Sequence, residues 1–582
     1  MAINQPFTDL QIKKAVSGFY QGYSVPIALI SKFTMAMLVI WALFWPANAN
    51  GVLSSLNSRL LANFNIFYIV IVGLFIFFLL VLAILPQTGG RLMGRAGEKP
   101  EFSNFSWFSM MFGAGLGVGL MVFATAEPLG LWGSNPVTIA GTVVANSEAA
   151  LESGYRYTFL HYGFHAWGIY MVTGLSLAYY AYTRDMPLTI RSALTPLLGK
   201  HVNGFAGHLV DVLGVVATIL GVSVTIGFGV SQFINGIYEI TGIEWIMDLG
   251  GDAPKPGTVG LVLSIILLLV FVIFGSFIFS MTTHATALLD YILHFIQLSF
   301  GAYTPQSAAE FNAALPAAAQ PFATDLYAAA TNAGGSFEDF KKALTGGAVA
   351  LSDDVLTAAY AAGNPGRQFG WQSGQTTFYW AWWIAFSPFV GLFLARISKG
   401  RTVREFIVGC IIAPALVCFA WMTILGGTAI DLELTGAADG SIIEASNTAK
   451  LFATLGVMIS SKIFLTLITI MCVLLNMTFL VTSADSGILV MNTIMSGGET
   501  SAGIKHRIVW GVILTLVIGT LLVAGRTQGG ADPMEALKSA MIIGALPFTV
   551  VMGLMCVSLG KALFRDTLRE KASGPEPASA GD

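Results

Sequence analysis

Two aromatic clusters are the groups in this chain best suited to chemistry. FYWAWWIAF supplies Phe378, Tyr379, Trp380, Trp382, Trp383 and Phe386, and HYGFHAWGIY supplies Tyr162, Trp167 and Tyr170. An aromatic face carries partial negative charge, so rings converging from two segments make a cage for a quaternary ammonium or sulfonium group. The competing reading is an anchoring belt, because Trp and Tyr gather where membrane meets water. A second cluster on a separate segment argues against a belt for every ring. His161 and His165 within that cluster read as helix-packing residues.

Two other patterns concern small cations. In FSMMFGAGLGVGLMVFATAEPLGLW, Gly113, Gly115, Gly117 and Gly119 alternate. Glycine inside a helix costs about 1 kcal/mol relative to alanine, so regular helix is disfavoured there. One reading is a broken helix whose freed carbonyls meet an ion or a substrate; the other is close packing through small residues. In FLVTSADS, Phe479, Thr482 and Ser483 share one helix face, and two hydroxyls with nearby carbonyls are hard ligands suited to Na⁺. The plainer alternative is that these hydroxyls bond back to their own helix. Asp485 reads as structural, a cap or a partner for a basic loop.

The elements that position these groups are membrane helices. The 582 residues are 55% hydrophobic and 10% charged with mean hydropathy +0.73, which points to an integral membrane protein of the all-α polytopic class. A net charge of −3 offers nothing to nucleic acid. Cys410, Cys418, Cys472 and Cys556 lie in apolar runs without CxxC spacing, so neither a disulfide framework nor a thiolate metal site is indicated. The polar N-terminus lacks the apolar core of a cleavable signal. Runs of about 20 apolar residues predict spans near 27–46, 66–86, 106–126, 161–182, 209–230, 258–280, 283–303, 376–397, 406–426, 460–483, 508–525 and 541–560. With both termini inside, about twice as many loop Lys and Arg fall on the inner side, among them Arg91, Lys200, Arg396, Arg401 and Lys561. The segment 304–375 is Ala-rich, and its short helical periods predict amphipathic helices over the outer face rather than a separate domain.

The stretch FYWAWWIAFSPFVGLFLARISKGRTVREF resembles the signature of the betaine/carnitine/choline transporter family nearly residue for residue. GAGLGVGLMVF with AEPL, HAWGIY, TSADS and ALPFTVVMGLMCVSLGKAL resemble its other landmarks in order, over residues 5 to 570. The resemblance implies about 12 transmembrane helices in a LeuT-like inverted repeat of five plus five, with two extra helices in front, and a homotrimer. The parts are then an N-terminal segment 1–26, the extra helices 27–105, a first repeat 106–303, the enlarged loop 304–375, a second repeat 376–560 and a short tail 561–582.

Carried over by position, the resemblance implies substrate-binding residues Tyr162, Trp167, Tyr170 and Trp383, joined by Leu116, Gly117, Trp380 and Phe386. Tyr162 and Phe386 replace the family's usual Trp, which implies a cage for a different or smaller headgroup. One Na⁺ site maps onto Gly113, Leu116, Phe479, Thr482 and Ser483. A second maps onto Thr218 and Phe389 but has Val222 where the family has Thr, with Ser223 or Thr225 as possible substitutes. Each desolvated cation–π contact contributes about 2 kcal/mol against about 3 kcal/mol for a charge at mid-membrane, so two or three rings suffice. The expectation is Na⁺-coupled uptake of a zwitterionic methylated onium solute, glycine betaine or dimethylsulfoniopropionate, by a multi-pass protein of the bacterial inner membrane with Na⁺ as its coupling ion and no other cofactor. Gly119, where choline-selective relatives carry an acid, favours the zwitterion. The alternatives are a sodium-independent exchanger, a choline or carnitine transporter and, more remotely, a membrane enzyme built on Asp290, His284 and His294.

Overall fold

The computed structural model describes residues 5–113, 117–249, 255–257, 285–332, 336–499, 504–527 and 532–573. Inside hydrocarbon every main-chain polar group needs a partner within the protein, and a helix provides one for nearly all of them. The described residues are accordingly mostly helical, with one small sheet among them, Met247–Asp248 paired antiparallel with Lys255–Pro256.

The helices that carry the site are α1 (Val25–Phe44), α2 (Pro46–Ile84), α3 (Asn104–Gly113), α4 (Gly117–Gly133), α5 (Leu151–Tyr162), α6 (Phe164–Ala178), α7 (Phe205–Thr241), α8 (Ala285–Leu293), α9 (Phe295–Phe300), α10 (Asn364–Gly374), α11 (Thr376–Ile397), α12 (Val403–Leu434), α13 (Lys462–Met495), α14 (Ile504–Gly525) and α15 (Glu535–Ser573). Among the described residues eight helices are long and apolar enough to cross a membrane: α1, α2, α7, α10 continued by α11, and α12 to α15. They cover eight of the expected spans. The spans expected at 106–126, 161–182 and 283–303 fall instead on shorter pieces: α3 and α4, α5 and α6, and α8 and α9. The span expected at 258–280, and with it His284, lies outside the described residues.

Local chemistry explains the division at Gly163, between α5 and α6. A Cβ there would stand 2.3 Å from the Phe159 carbonyl oxygen and 2.5 Å from the Phe419 ring, so only glycine lets the chain turn at this point. After α6 the chain widens into a π-helical turn, Tyr179–Thr183.

Two helices run past their expected ends. α2 begins at Pro46, a residue suited to a first helical position, and its 39 residues reach about 58 Å. Its early part reads as a loop because of its asparagines, yet Asn50, Asn57 and Asn65 are buried as a polar seam, and Asn65 Nδ2 donates to Gln372 Oε1 at 3.0 Å. α15 continues through Ser573, into the segment expected as a tail. Its acids are held by the neighbouring loops: Asp566 by Arg184 at 2.9 Å and Glu570 by Arg91 at 2.8 Å.

The loops whose basic residues sort to one side do meet at one end of the bundle. Lys14 pairs with Glu499, Arg95 with Asp185 and Arg507 with Asp485, the basic-loop partner expected for that acid. Lys399 binds Glu98 at 2.5 Å, and this bond holds the Glu98 carboxyl below its ordinary pKa. At the opposite end the 304–375 segment folds into short helices around its own apolar core of Phe311, Leu326, Phe340 and Leu356, apart from the main core. It is therefore more self-contained than a set of surface helices. Ser307 and Glu310 form a capping box that starts its first helix.

Glycines set the central crossings. A Cβ on Gly391 would lie 2.8 Å from Gly174 N and 2.9 Å from Thr173, so α6 and α11 touch backbone to backbone. A Cβ on Gly221 would lie 2.9 Å from both Ala385 C and Phe386 N, which locks α7 against the same helix. Gly391→Leu is expected to destabilise the protein by about 1–3 kcal/mol, measured as a lower melting temperature in detergent. Gly456→Ala, whose Cβ would meet none of the described residues within 4 Å, should be at least as stable as the wild type.

Candidate functional site

The aromatic residues of α5, α6 and α11 converge inside the bundle. Trp383 meets Tyr162 at 5.4 Å between ring centroids and Tyr170 at 6.1 Å, both near perpendicular, and Trp167 meets Tyr170 at 5.6 Å. All four rings are at most 2% exposed, which excludes a lipid-facing belt for them. The turn at Gly163 contributes directly, since Trp383 Nε1 donates to the carbonyl of His161, two residues before it, at 2.8 Å. The Tyr170 hydroxyl is buried with no partner among the described residues.

A second set of rings leads from this box to a cavity of about 390 Å³ at the end of the bundle that carries the 304–375 segment. Phe123, Phe228, Phe378 and Tyr379 lie in its wall, with Glu127 and Lys538. Trp382 connects the two. It stacks on Trp383 at 4.7 Å, meets Phe123 at 5.8 Å and Phe228 at 5.4 Å, and donates from Nε1 to Thr225 Oγ1 at 3.0 Å. The Lys538 ammonium lies 5.6 Å from the centroid of Phe228 and 5.9 Å from that of Phe378, so a side-chain cation already occupies these faces.

Glu127 is the residue that sequence reasoning missed. It is 6% exposed, and its two oxygens are taken by His161 Nδ1 at 2.6 Å and the Tyr379 hydroxyl at 2.5 Å. The other ring nitrogen, Nε2, is hydrogen-bonded with Thr376 Oγ1 at 3.0 Å. Tyr379 is 5.2 Å from Tyr162 and 5.8 Å from Trp383, so a carboxylate stands one ring away from the box. Position 119 carries no acid, but Glu127 on the same helix supplies one close by. A lone carboxylate in an apolar run, as in AEPL, is the signal that would have found it. His165 is satisfied by Tyr291 and Ser299, as expected of a packing residue.

The remaining residues singled out from sequence are placed as follows. Trp380 stacks on His165 at 5.6 Å and meets His161 edge-on at 6.2 Å, whereas Phe386 reaches Tyr170 at 6.5 Å. Gly117 lies under Phe479, whose ring carbon would be 2.2 Å from a Cβ there, so α4 and α13 pack closely at this glycine. Gly119 is buried, and among the described residues nothing lies within 4 Å of where a Cβ would stand. Thr482 is exposed and donates to the carbonyls of Thr478 and Phe479, at 3.0 and 3.2 Å, the bond back to its own helix that the plainer alternative expects. Ser483 follows it, half-buried, and Gly113 closes α3. Leu116 lies outside the described residues.

In the second set, Thr218 and Phe389 are buried on α7 and α11, and Val222 packs against Gly487. Of the two possible substitutes, Thr225 is engaged by Trp382, and Ser223 is buried with its hydroxyl unpartnered among the described residues. Those residues contain no group of three or more His, Cys, Asp or Glu placed to hold a metal ion. Hydroxyl and carbonyl oxygens of the sort found here suit an alkali cation.

A family model described as betaine/carnitine/choline family transporter matches residues 26–248 and 335–568. The chain is 33% identical over 548 residues to a probable glycine betaine transporter of Desulfitobacterium hafniense, covering 93% of this chain and 97% of that one. It is 30% identical over 553 residues to glycine betaine transporter OpuD of Bacillus subtilis, covering 91% and 93%. A glycine betaine/proline/choline/ectoine transporter of Vibrio parahaemolyticus is 31% identical over 533 residues, covering 90% and 84%.

The cage makes a direct prediction. Trp383→Ala should weaken tetramethylammonium binding about 30-fold, corresponding to about 2 kcal/mol, in calorimetric titration of the purified protein. Glu127→Gln, which keeps an amide for hydrogen bonding but removes the charge, should weaken it about tenfold, the low end for a charge-assisted interaction. Trp245→Ala, at a loop ring 60% exposed, should change nothing.

Proposed function

The chain belongs to the betaine/carnitine/choline transporter family and is a multi-pass membrane transporter, not an enzyme, and on that premise we propose that it takes up a zwitterionic methylated onium solute, glycine betaine or dimethylsulfoniopropionate, coupled to Na⁺ by alternating access. The observation that carries this reading is the meeting of Trp383 with Tyr162 and Tyr170, rings from three helices around one buried point. The names of relatives, glycine betaine transporters at about 30% identity, agree with it.

In this reading the onium enters past Phe228 and Phe378, displaces the Lys538 ammonium from their faces and moves along Trp382 into the box. Glu127 supplies negative potential one ring away, while the main-chain N–H groups of the glycine run take the solute's carboxylate. Na⁺ binds on Gly113 and Leu116 of the glycine run and on Phe479, Thr482 and Ser483 of α13, so that filling the ion site holds the glycine run in its substrate-binding form. The site on Thr218 and Phe389 lacks a ligand at Val222, and the proposal is one Na⁺ per solute. The inverted repeat of two five-helix halves, the trimer, the inner-membrane location and a cytoplasmic basic end belong to the same proposal. Glu127 favours one second reading, uptake of a bare cation such as choline. Against it, both Glu127 oxygens already have donors in His161 and Tyr379.

Uptake into proteoliposomes tests this. One charge falling through 100 mV supplies about 2.3 kcal/mol and a tenfold Na⁺ gradient about 1.4 kcal/mol. Glycine betaine should therefore accumulate several hundredfold, with a first-power dependence on the Na⁺ gradient; sodium-independent uptake refutes the coupling, and a squared dependence refutes the single ion. Gly119→Asp, at a glycine whose Cβ would meet none of the described residues within 4 Å, should add choline uptake absent from the wild type.

A further inference from the structure

A second cavity, also of about 390 Å³, lies between the 304–375 layer and the membrane helices. Its wall holds the rings of Phe311, Tyr327, Phe369 and Trp371 together with Arg367. Ser134 lines both this cavity and the vestibule below it, and the Trp371 indole donates to the Ser134 carbonyl at 2.9 Å, so the two cavities adjoin.

Arg367 is the unusual member. It is 9% exposed, and its guanidinium lies over the Tyr360 ring at 3.5 Å, with Nη2 donating to the Tyr360 carbonyl at 2.7 Å and to Asn364 Oδ1. Among the described residues Nε and Nη1 are buried without an acceptor, and no carboxylate lies within 4.0 Å to balance the charge. A guanidinium cannot lose its proton to escape this cost, so a buried one calls for an anion. Had its role been only to brace the loop, Nη2 alone would serve. Part of the wall, Phe311 and Tyr327, comes from residues that the family model leaves unmatched, 249–334, so the cavity is a feature of this chain's enlarged segment.

We propose that this cavity is an accessory site for a small zwitterionic carboxylate, the carboxylate received by the Arg367 guanidinium and the methylated onium held against Tyr327 and Trp371. The choice of zwitterion rests on the uptake reading above; the carboxylate requirement rests on Arg367 alone. Placed beside the vestibule, the site concentrates solute where the transport path begins.

The test is calorimetry on the purified full chain with glycine betaine, acetate and tetramethylammonium, at concentrations where the central site of Trp383→Ala, weakened about 30-fold, stays unfilled. The wild type should bind two glycine betaine molecules per chain and Trp383→Ala one. The remaining site should be competed by acetate, and adding Arg367→Gln should weaken it at least tenfold, with Arg367→Lys retaining most of the binding. Thermal melting of Arg367→Gln within a few degrees of the wild type establishes that the fold persists. Equal binding by Trp383→Ala with and without Arg367→Gln overturns the site, as does a remaining site that acetate cannot compete for. If acetate binds through Arg367 while no onium solute is transported, the uptake reading fails and the carboxylate pocket stands. If transport proceeds with one solute bound per chain, the reverse holds.

Discussion

The site depends on one contact, the backbone crossing of α6 and α11 at Gly174 and Gly391. With a Cβ on Gly391 the two helices would have to separate, because its nearest neighbour, Gly174 N, would be only 2.8 Å away. At this spacing Trp383 reaches across to Tyr162 and Tyr170, and its indole N–H reaches the His161 carbonyl near the turn. Ring faces attract a cation only at short range, within about 6 Å of the centroid. A widening of even an ångström or two would leave aromatic bulk without a cage.

The second constraint is charge at depth. An unpaired carboxylate inside the membrane costs several kcal/mol, and Glu127 avoids this by receiving donors from two other helices, His161 on α5 and Tyr379 on α11. The same bonds orient Tyr379, whose ring belongs both to the vestibule wall and to the neighbourhood of the box. A continuous aromatic surface thus runs from Phe228 through Trp382 to Trp383.

Much of this was legible in sequence because it is local. Aromatic residues at close spacing in two apolar runs, and basic residues collecting on one side, need no knowledge of tertiary structure. The box residues Tyr162, Trp167, Tyr170 and Trp383 are indeed brought together. How three nearby tryptophans divide was not legible: Trp382 stacks on Trp383 and Trp380 lies against His165, because the rotation of α11 is set by Gly391 on Gly174 and Gly221 on Ala385. Glu127 escaped notice because its partners lie 34 and 252 residues away. Apolar windows average over single residues, so a turn at Gly163 looks like one span, and the asparagines of α2 look like a loop. The second core of the 304–375 segment was hidden by its alanines, which pattern weakly on their own.

The central claim is that rings hold this solute by its positive charge. Glycine betaine and its neutral-headed isostere 3,3-dimethylbutanoate have the same shape and carboxylate, with nitrogen exchanged for carbon. Competition between them for the central site, measured by equilibrium dialysis on Arg367→Gln protein, isolates the charge. At about 2 kcal/mol per desolvated contact, glycine betaine should bind at least 30-fold more tightly; equal affinities for the two would contradict the account.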